Sequence, residues 1–77
     1  LPPDARALMR DHHLADALYF LRAGERRGAT EALERALAVD QDNERAQRLL
    51  SAIEQLGEKE KLDGEALLKE VDGGAGR

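Results

Sequence analysis

The chain of 77 residues lacks cysteine and tryptophan, and it has only one phenylalanine and one tyrosine. Without cysteine, neither a disulfide framework nor a thiolate metal site can form. β-Branched residues, which strands favour, are also scarce, with two valines, one isoleucine and one threonine. The remaining mixture is rich in Ala, Leu, Glu and Arg, and it predicts an all-α protein with one small domain and a thin core.

The charge balance disfavours a nucleic-acid or anionic-membrane partner, because the formal net charge is −4. Arg22, Arg26 and Arg27 form the one basic cluster, but Glu25 and Glu31 dilute it and no aromatic side chains are interleaved with it. Contact with nucleic acid through these arginines is therefore the least favoured hypothesis. No apolar run has the length of a membrane span, so we expect no membrane span. The sequence leaves the compartment unknown, with a cytoplasmic location favoured.

Apolar spacing predicts three helices. The first covers about residues 4–23 and ends at Gly24 in a left-handed conformation. The second covers about 27–38, and the third is expected to begin after an Asp42 cap and to stop near Gly57. Their apolar positions recur at helical intervals: Ala29, Ala32, Leu33, Ala36 and Leu37 in the second, and Ala46, Leu49, Leu50, Ile53 and Leu56 in the third.

The character of the chain changes after Gly57. Residues 58–61 are a solvated charge run, and Asp63-Gly64 is typical of a turn. Residues 65–71 are enough for a short fourth helix only if something covers it. We therefore expect a helical domain over 1–57, a charged extension or short helix over 58–71, and a flexible tail over 72–77.

About 34 residues resemble a tetratricopeptide repeat (TPR). The pattern that carries the resemblance is Ala17-x-x-Phe20-x-x-x-Gly24, then Ala29-x-x-x-Leu33-x-x-Ala36-Leu37, then the turn Asp40-Gln41-Asp42-Asn43. The chain departs from the family pattern at His13, Asp16 and Gln41. The resemblance implies an antiparallel helical hairpin of TPR type, followed by a third helix that starts a further repeat or caps this one.

The resemblance also implies a protein–protein interaction module whose first helix lines a concave groove. The expected partner-binding residues are Asp11, Leu14, Leu18, Leu21 and Arg22, with Tyr19 as a contact anchor at the rim. Leu14 and Leu18 stand where carboxylate-gripping members of the family carry Lys and Asn, so a carboxylate clamp is not expected. The expected partner is a helical or extended protein segment, or a second copy of the chain.

An alternative function is a structural homo-oligomerisation domain with no other ligand. One and a half repeats leave apolar faces uncovered, and a symmetric dimer is the simplest way to cover a patch of Leu14, Leu18, Leu21, Leu49 and Ile53. No catalytic constellation or phosphate-binding glycine loop is recognisable, so we expect neither an enzyme nor a cofactor. His12 and Asp16 share a helix face, but a third ligand is not evident, and we expect no metal site.

Overall fold

The computed structural model describes residues 3–75, which form four α-helices and contain no strand. These helices are α1 (Pro3–Arg22), α2 (Arg26–Val39), α3 (Glu44–Glu54) and α4 (Gly64–Ala75). The all-α prediction is confirmed. Among the helices so described, none combines the length and the apolar character needed to cross a membrane.

The joint between α1 and α2 is made by Gly24, whose φ is 73°. The Glu25 N–H donates to the carbonyl of Phe20 at 2.8 Å, and the Gly24 N–H donates to that of Leu21 at 3.1 Å. This pair of bonds is the Schellman arrangement, which satisfies carbonyls left free at the end of a helix. Gly24 therefore ends α1 in the left-handed conformation that the sequence predicts.

Contacts at both ends make α1 and α2 antiparallel. At one end the ring of Phe20 lies on Gly28, where an added Cβ would come within 2.6 Å of Phe20 Cδ1. At the other end Arg10 Nη1 lies 3.3 Å from Asp40 Oδ2. Because α1 has 20 residues and α2 has 14, the first turns of α1 extend beyond α2. Leu8, in that overhang, is consequently 70% exposed.

Side-chain caps define the starts of α3 and α4. The Ala46 N–H donates to Asn43 Oδ1 at 2.9 Å, and the Ala66 N–H donates to Asp63 Oδ1 at 3.1 Å. The prediction of Asp42 as the cap of α3 is wrong by one residue. Its neighbour caps the helix because the turn after α2 closes through the Asn43 N–H, which donates to the carbonyl of Asp40 at 3.2 Å.

The ends of α3 and α4 also differ from the predictions. α3 ends at Glu54, three residues before Gly57. α4 runs to Ala75, so residues 72–75 of the segment predicted as a tail are helical in the structure, while 76–77 lie outside the described residues. An ion pair between Asp72 and Arg45 of α3 supports the last turns of α4.

One core joins all four helices. α2 and α4 each pack against both α1 and α3. The buried apolar cluster consists of Ala17, Leu21, Ala29, Ala32, Leu33, Ala36, Ala46, Leu49, Ile53, Leu62, Leu67 and Leu68. The predicted stripe of α2 is buried in the expected phase, with Leu37 partly buried at its edge. Leu62, Leu67 and Leu68 come from the segment after Gly57, which therefore completes the core.

Candidate functional site

The predicted partner-binding residues lie on α1 in two different environments. The set is Asp11, Leu14, Leu18, Tyr19, Leu21 and Arg22. The two polar members and Tyr19 are exposed, whereas Leu14 and Leu18 are half-buried against the core. Leu21 has no exposed surface, and neither does Leu49 in the expected leucine patch. Leu21 is thus a core residue in this structure and not a free contact surface, and it belongs to the same buried cluster as Leu67 and Leu68 of α4.

The adjacent aromatic residues point in different directions, as the spacing predicts. Phe20 packs towards Gly28 of α2, while Tyr19 is 69% exposed. The two rings meet edge to face, with centroids 5.4 Å apart. Tyr19 therefore exposes an aromatic ring that contacts the packed ring of Phe20.

We define the α1–α3 cleft as the surface of α1 and α3 on which α4 lies, bordered by Leu21 and Arg22 of α1 and by Arg45 of α3. α4 enters this cleft through a close backbone contact. A Cβ on Gly64 would overlap the carbonyl group of Leu21, so only glycine allows α4 to start there. Nearby, an added Cβ on Gly24 would lie 3.5 Å from the carbonyl oxygen of Leu62.

Two ion pairs hold one flank of α4. Arg22 Nε lies 3.4 Å from Glu65 Oε1. Arg45 forms a two-pronged contact with Asp72, with Nε–Oδ1 at 3.1 Å and Nη2–Oδ2 at 2.8 Å. Leu68 lies between the two carboxylates along the helix and is buried. The flank of α4 that meets the two arginines therefore has the order acid, leucine, acid.

Sequence reasoning identified Arg22 as a groove residue but missed Arg45, Glu65 and Asp72. The signal that could have found the last two is their spacing with Leu68, since i, i+3 and i+7 share one side of a helix. Nothing local marks Arg45, because its partner is 27 residues away in the chain.

Open grooves run along both flanks of α4. One has a volume of about 310 Å³ and lies against the end of α3, where Ala66, Leu67 and Glu70 line its α4 side. The other, of about 440 Å³, lies between the two arginines and α4, whose side of the groove is lined by Glu65, Leu68, Lys69 and Asp72. α4 is therefore seated on the cleft and is not enclosed by it.

Arg26 stabilises the end of α3. Its Nη2 donates to the carbonyls of Ile53 and Leu56, and its Nη1 donates to that of Gly57, each at 3.1 Å. A cation is favourable at this end of a helix, where carbonyls are left without partners. Arg27, by contrast, extends into solvent near Glu31 at 3.7 Å.

The basic cluster predicted from the sequence is consequently divided among three contacts. Arg22 meets α4, Arg26 meets α3, and Arg27 meets an acid of its own helix. Each positive charge has an acidic or carbonyl partner, so these arginines do not combine into one positive surface.

The histidines make contacts on the open side of α1. His12 Nε2 lies 3.6 Å from Asp16 Oδ2, and both side chains are exposed. The rings of His12 and His13 are edge to face with centroids 5.6 Å apart. Over residues 3–75, no group of three or more His, Cys, Asp or Glu side chains is placed to hold a metal ion.

Comparison with protein-family models, curated proteins and solved structures finds no match to this chain. The resemblance to the TPR family therefore stays a prediction from the residues quoted above.

Proposed function

We propose that this chain is a protein–protein interaction module of TPR type, which binds an amphipathic helix of a partner protein in the α1–α3 cleft. The observation that carries the proposal is α4 itself, a helix of the same chain that already lies on α1 and α3. It provides the kind of ligand that the cleft fits, namely one helix with an apolar side and a charged flank.

The properties of α4 support its comparison with a bound ligand. It has 12 residues, and an isolated helix of that length is marginal in water. Its order therefore depends on the apolar side formed by Leu67, Leu68 and the half-buried Val71. The connection from α3 runs from residue 55 to 63 and is exposed except for the buried Leu62 and the half-buried Leu56, so it adds few contacts to those that α4 itself makes.

The test uses a peptide with the sequence of residues 61–75, labelled with a fluorophore, as the probe. The full chain carrying Leu68→Asp, which should displace α4 from the cleft, is titrated with the probe and anisotropy is followed. We expect saturable binding, and NMR shift changes that include Leu21 and Arg45. The matched control, Ala66→Asp, introduces the same charge on the exposed side of α4 and should leave the cleft filled and the probe unbound.

A folded Leu68→Asp chain that binds no probe up to millimolar concentration would refute the proposal. Binding that persists when the leucines at positions 67 and 68 of the probe are both replaced by aspartate would also refute it, because the apolar side would then be irrelevant.

Homo-oligomerisation is the second candidate function, and the exposed side of α1 favours it. Leu8 is 70% and Tyr19 is 69% exposed, and these two residues are three helical turns apart on one side of α1. This alternative predicts a solution mass that rises with concentration in sedimentation equilibrium and returns to the monomer mass in Leu8→Glu. A monomer at millimolar concentration would eliminate it.

A further inference from the structure

We infer that the partner helix is acidic, with two carboxylates seven residues apart on one flank and a leucine between them. Arg22 and Arg45 bind the two carboxylates, and α4 carries the same pattern of residues. The inference rests on the proposed function, because it specifies which helix the α1–α3 cleft accepts.

Arg45 lies where its own helix does not favour a positive charge. It is the second residue of α3, within the turn where the helix dipole disfavours a cation. Its own helix therefore does not account for its charge. The contact that does is the two-pronged bond to Asp72, at 3.1 and 2.8 Å, whose geometry suits a guanidinium and a carboxylate. Arg45 is thus oriented towards whatever helix occupies the cleft.

The two arginines contact α4 at positions seven residues apart. Arg22 and Arg45 come from different helices, yet they meet residues 65 and 72 on the same flank of α4. Seven residues are two turns, which separates the two carboxylates by about 10.5 Å along the helix axis. Leu68 lies between them and is buried, so a helix in the cleft makes the apolar contact and the two charged contacts at the same time. A partner helix needs acids at i and i+7 and leucine at i+3 to make the same contacts.

Exposure determines what the charges contribute. The Arg45 and Asp72 side chains are 44% and 45% exposed, and the Arg22–Glu65 pair is more open still. Pairs this exposed add little strength, so the buried leucines supply most of the affinity. The arginines instead discriminate between helices, because a basic residue opposite either one would be repelled.

The test measures binding of the labelled peptide of residues 61–75 to the full Leu68→Asp chain. A second peptide carries Glu65→Lys and Asp72→Lys. We expect the reversed peptide to bind about tenfold more weakly. A chain that also carries Arg22→Glu and Arg45→Glu should invert this order and bind the reversed peptide better. The difference should shrink in high salt, since the contacts are exposed.

The outcomes separate the two proposals. Equal affinity for both peptides, or no inversion in the doubly reversed chain, overturns the acidic pattern while leaving helix binding in place. If neither peptide binds, both the acidic pattern and the proposed helix binding are overturned. Where circular dichroism shows that Leu68→Asp unfolds the chain, the same titrations are made on Gly64→Ala, which is expected to dislodge the start of α4 by backbone overlap.

Discussion

Replacing Gly64 with alanine should destabilise the protein, although the same change usually stabilises a helix. The added Cβ would overlap the carbonyl of Leu21, and this neighbour is backbone within α1, so it cannot rotate away. The start of α4 must therefore shift out of its contact. Overpacking of this kind lowers the free energy of unfolding by about 1–3 kcal/mol. Replacing glycine also reduces the conformational freedom of the unfolded chain, which raises the free energy of unfolding by about 0.5–1 kcal/mol. We expect a net loss of about 1–2 kcal/mol.

Gly73 provides the matched control on the same helix. An alanine Cβ there would meet nothing within 4 Å, and the residue is exposed. Gly73→Ala should therefore stabilise the protein by about 0.5–1 kcal/mol through helix propensity alone. The same chemical change at two positions of α4 is thus expected to have opposite signs.

The free energy of unfolding is obtained from urea titrations followed by circular dichroism at 222 nm. If Gly64→Ala releases α4 while α1–α3 stay folded, the urea dependence (the m-value) should also fall, because less surface remains to be exposed on unfolding. A Gly64→Ala chain as stable as the parent would refute the backbone contact with Leu21 and, with it, the way that α4 enters the cleft.

Four further substitutions, at three positions, test other parts of the structure. Leu33→Ala removes a fully buried side chain and should lower the free energy of unfolding in urea by about 2–4 kcal/mol; a negligible change would mean that the helix phase of α2 is misassigned. Arg26→Ala leaves three carbonyls at the end of α3 without their donor and should cost about 1–2 kcal/mol in the same assay. Arg26→Lys should recover only part of that loss, since an ammonium lacks the planar fork, and full recovery would argue for charge alone. Introduced into the Leu68→Asp chain, Leu18→Asp should abolish association with the probe peptide while the helical signal is retained, and loss of that signal would show that Leu18 serves the core.

Local sequence patterns predicted the helices well where the residues of one helix face determine which side is buried. The stripe from Ala29 to Leu37 gave the correct phase for α2, and Gly24 marked the end of α1 because few other residues adopt its conformation. The error at the start of α3 is of another kind. Asp42 and Asn43 both carry a suitable side-chain oxygen, and only the closing of the preceding turn decides which one caps the helix.

The C-terminal segment shows what a local pattern cannot reveal. Gly73 and the polar Asp72 suggest a tail, yet this region is helical with the support of Arg45 from α3. Likewise, the leucines of α4 form only a weak amphipathic pattern, and nothing near them in sequence shows that they join the same core as Leu21. Whether an apolar stripe is covered by its own chain or by another is a tertiary question, which the spacing of leucines along one helix does not answer.

The three carbonyl contacts of Arg26 set how far α4 can travel once it is released. They anchor the chain as far as Gly57, so once Leu62 has left the core together with α4, residues 58–63 act as the tether, with a reach of about 20 Å at full extension. A helix on so short a tether has a local concentration in the millimolar range. A competing helix present at about micromolar concentration must therefore bind roughly a thousandfold more tightly than α4 does, or arrive when α4 has already been weakened.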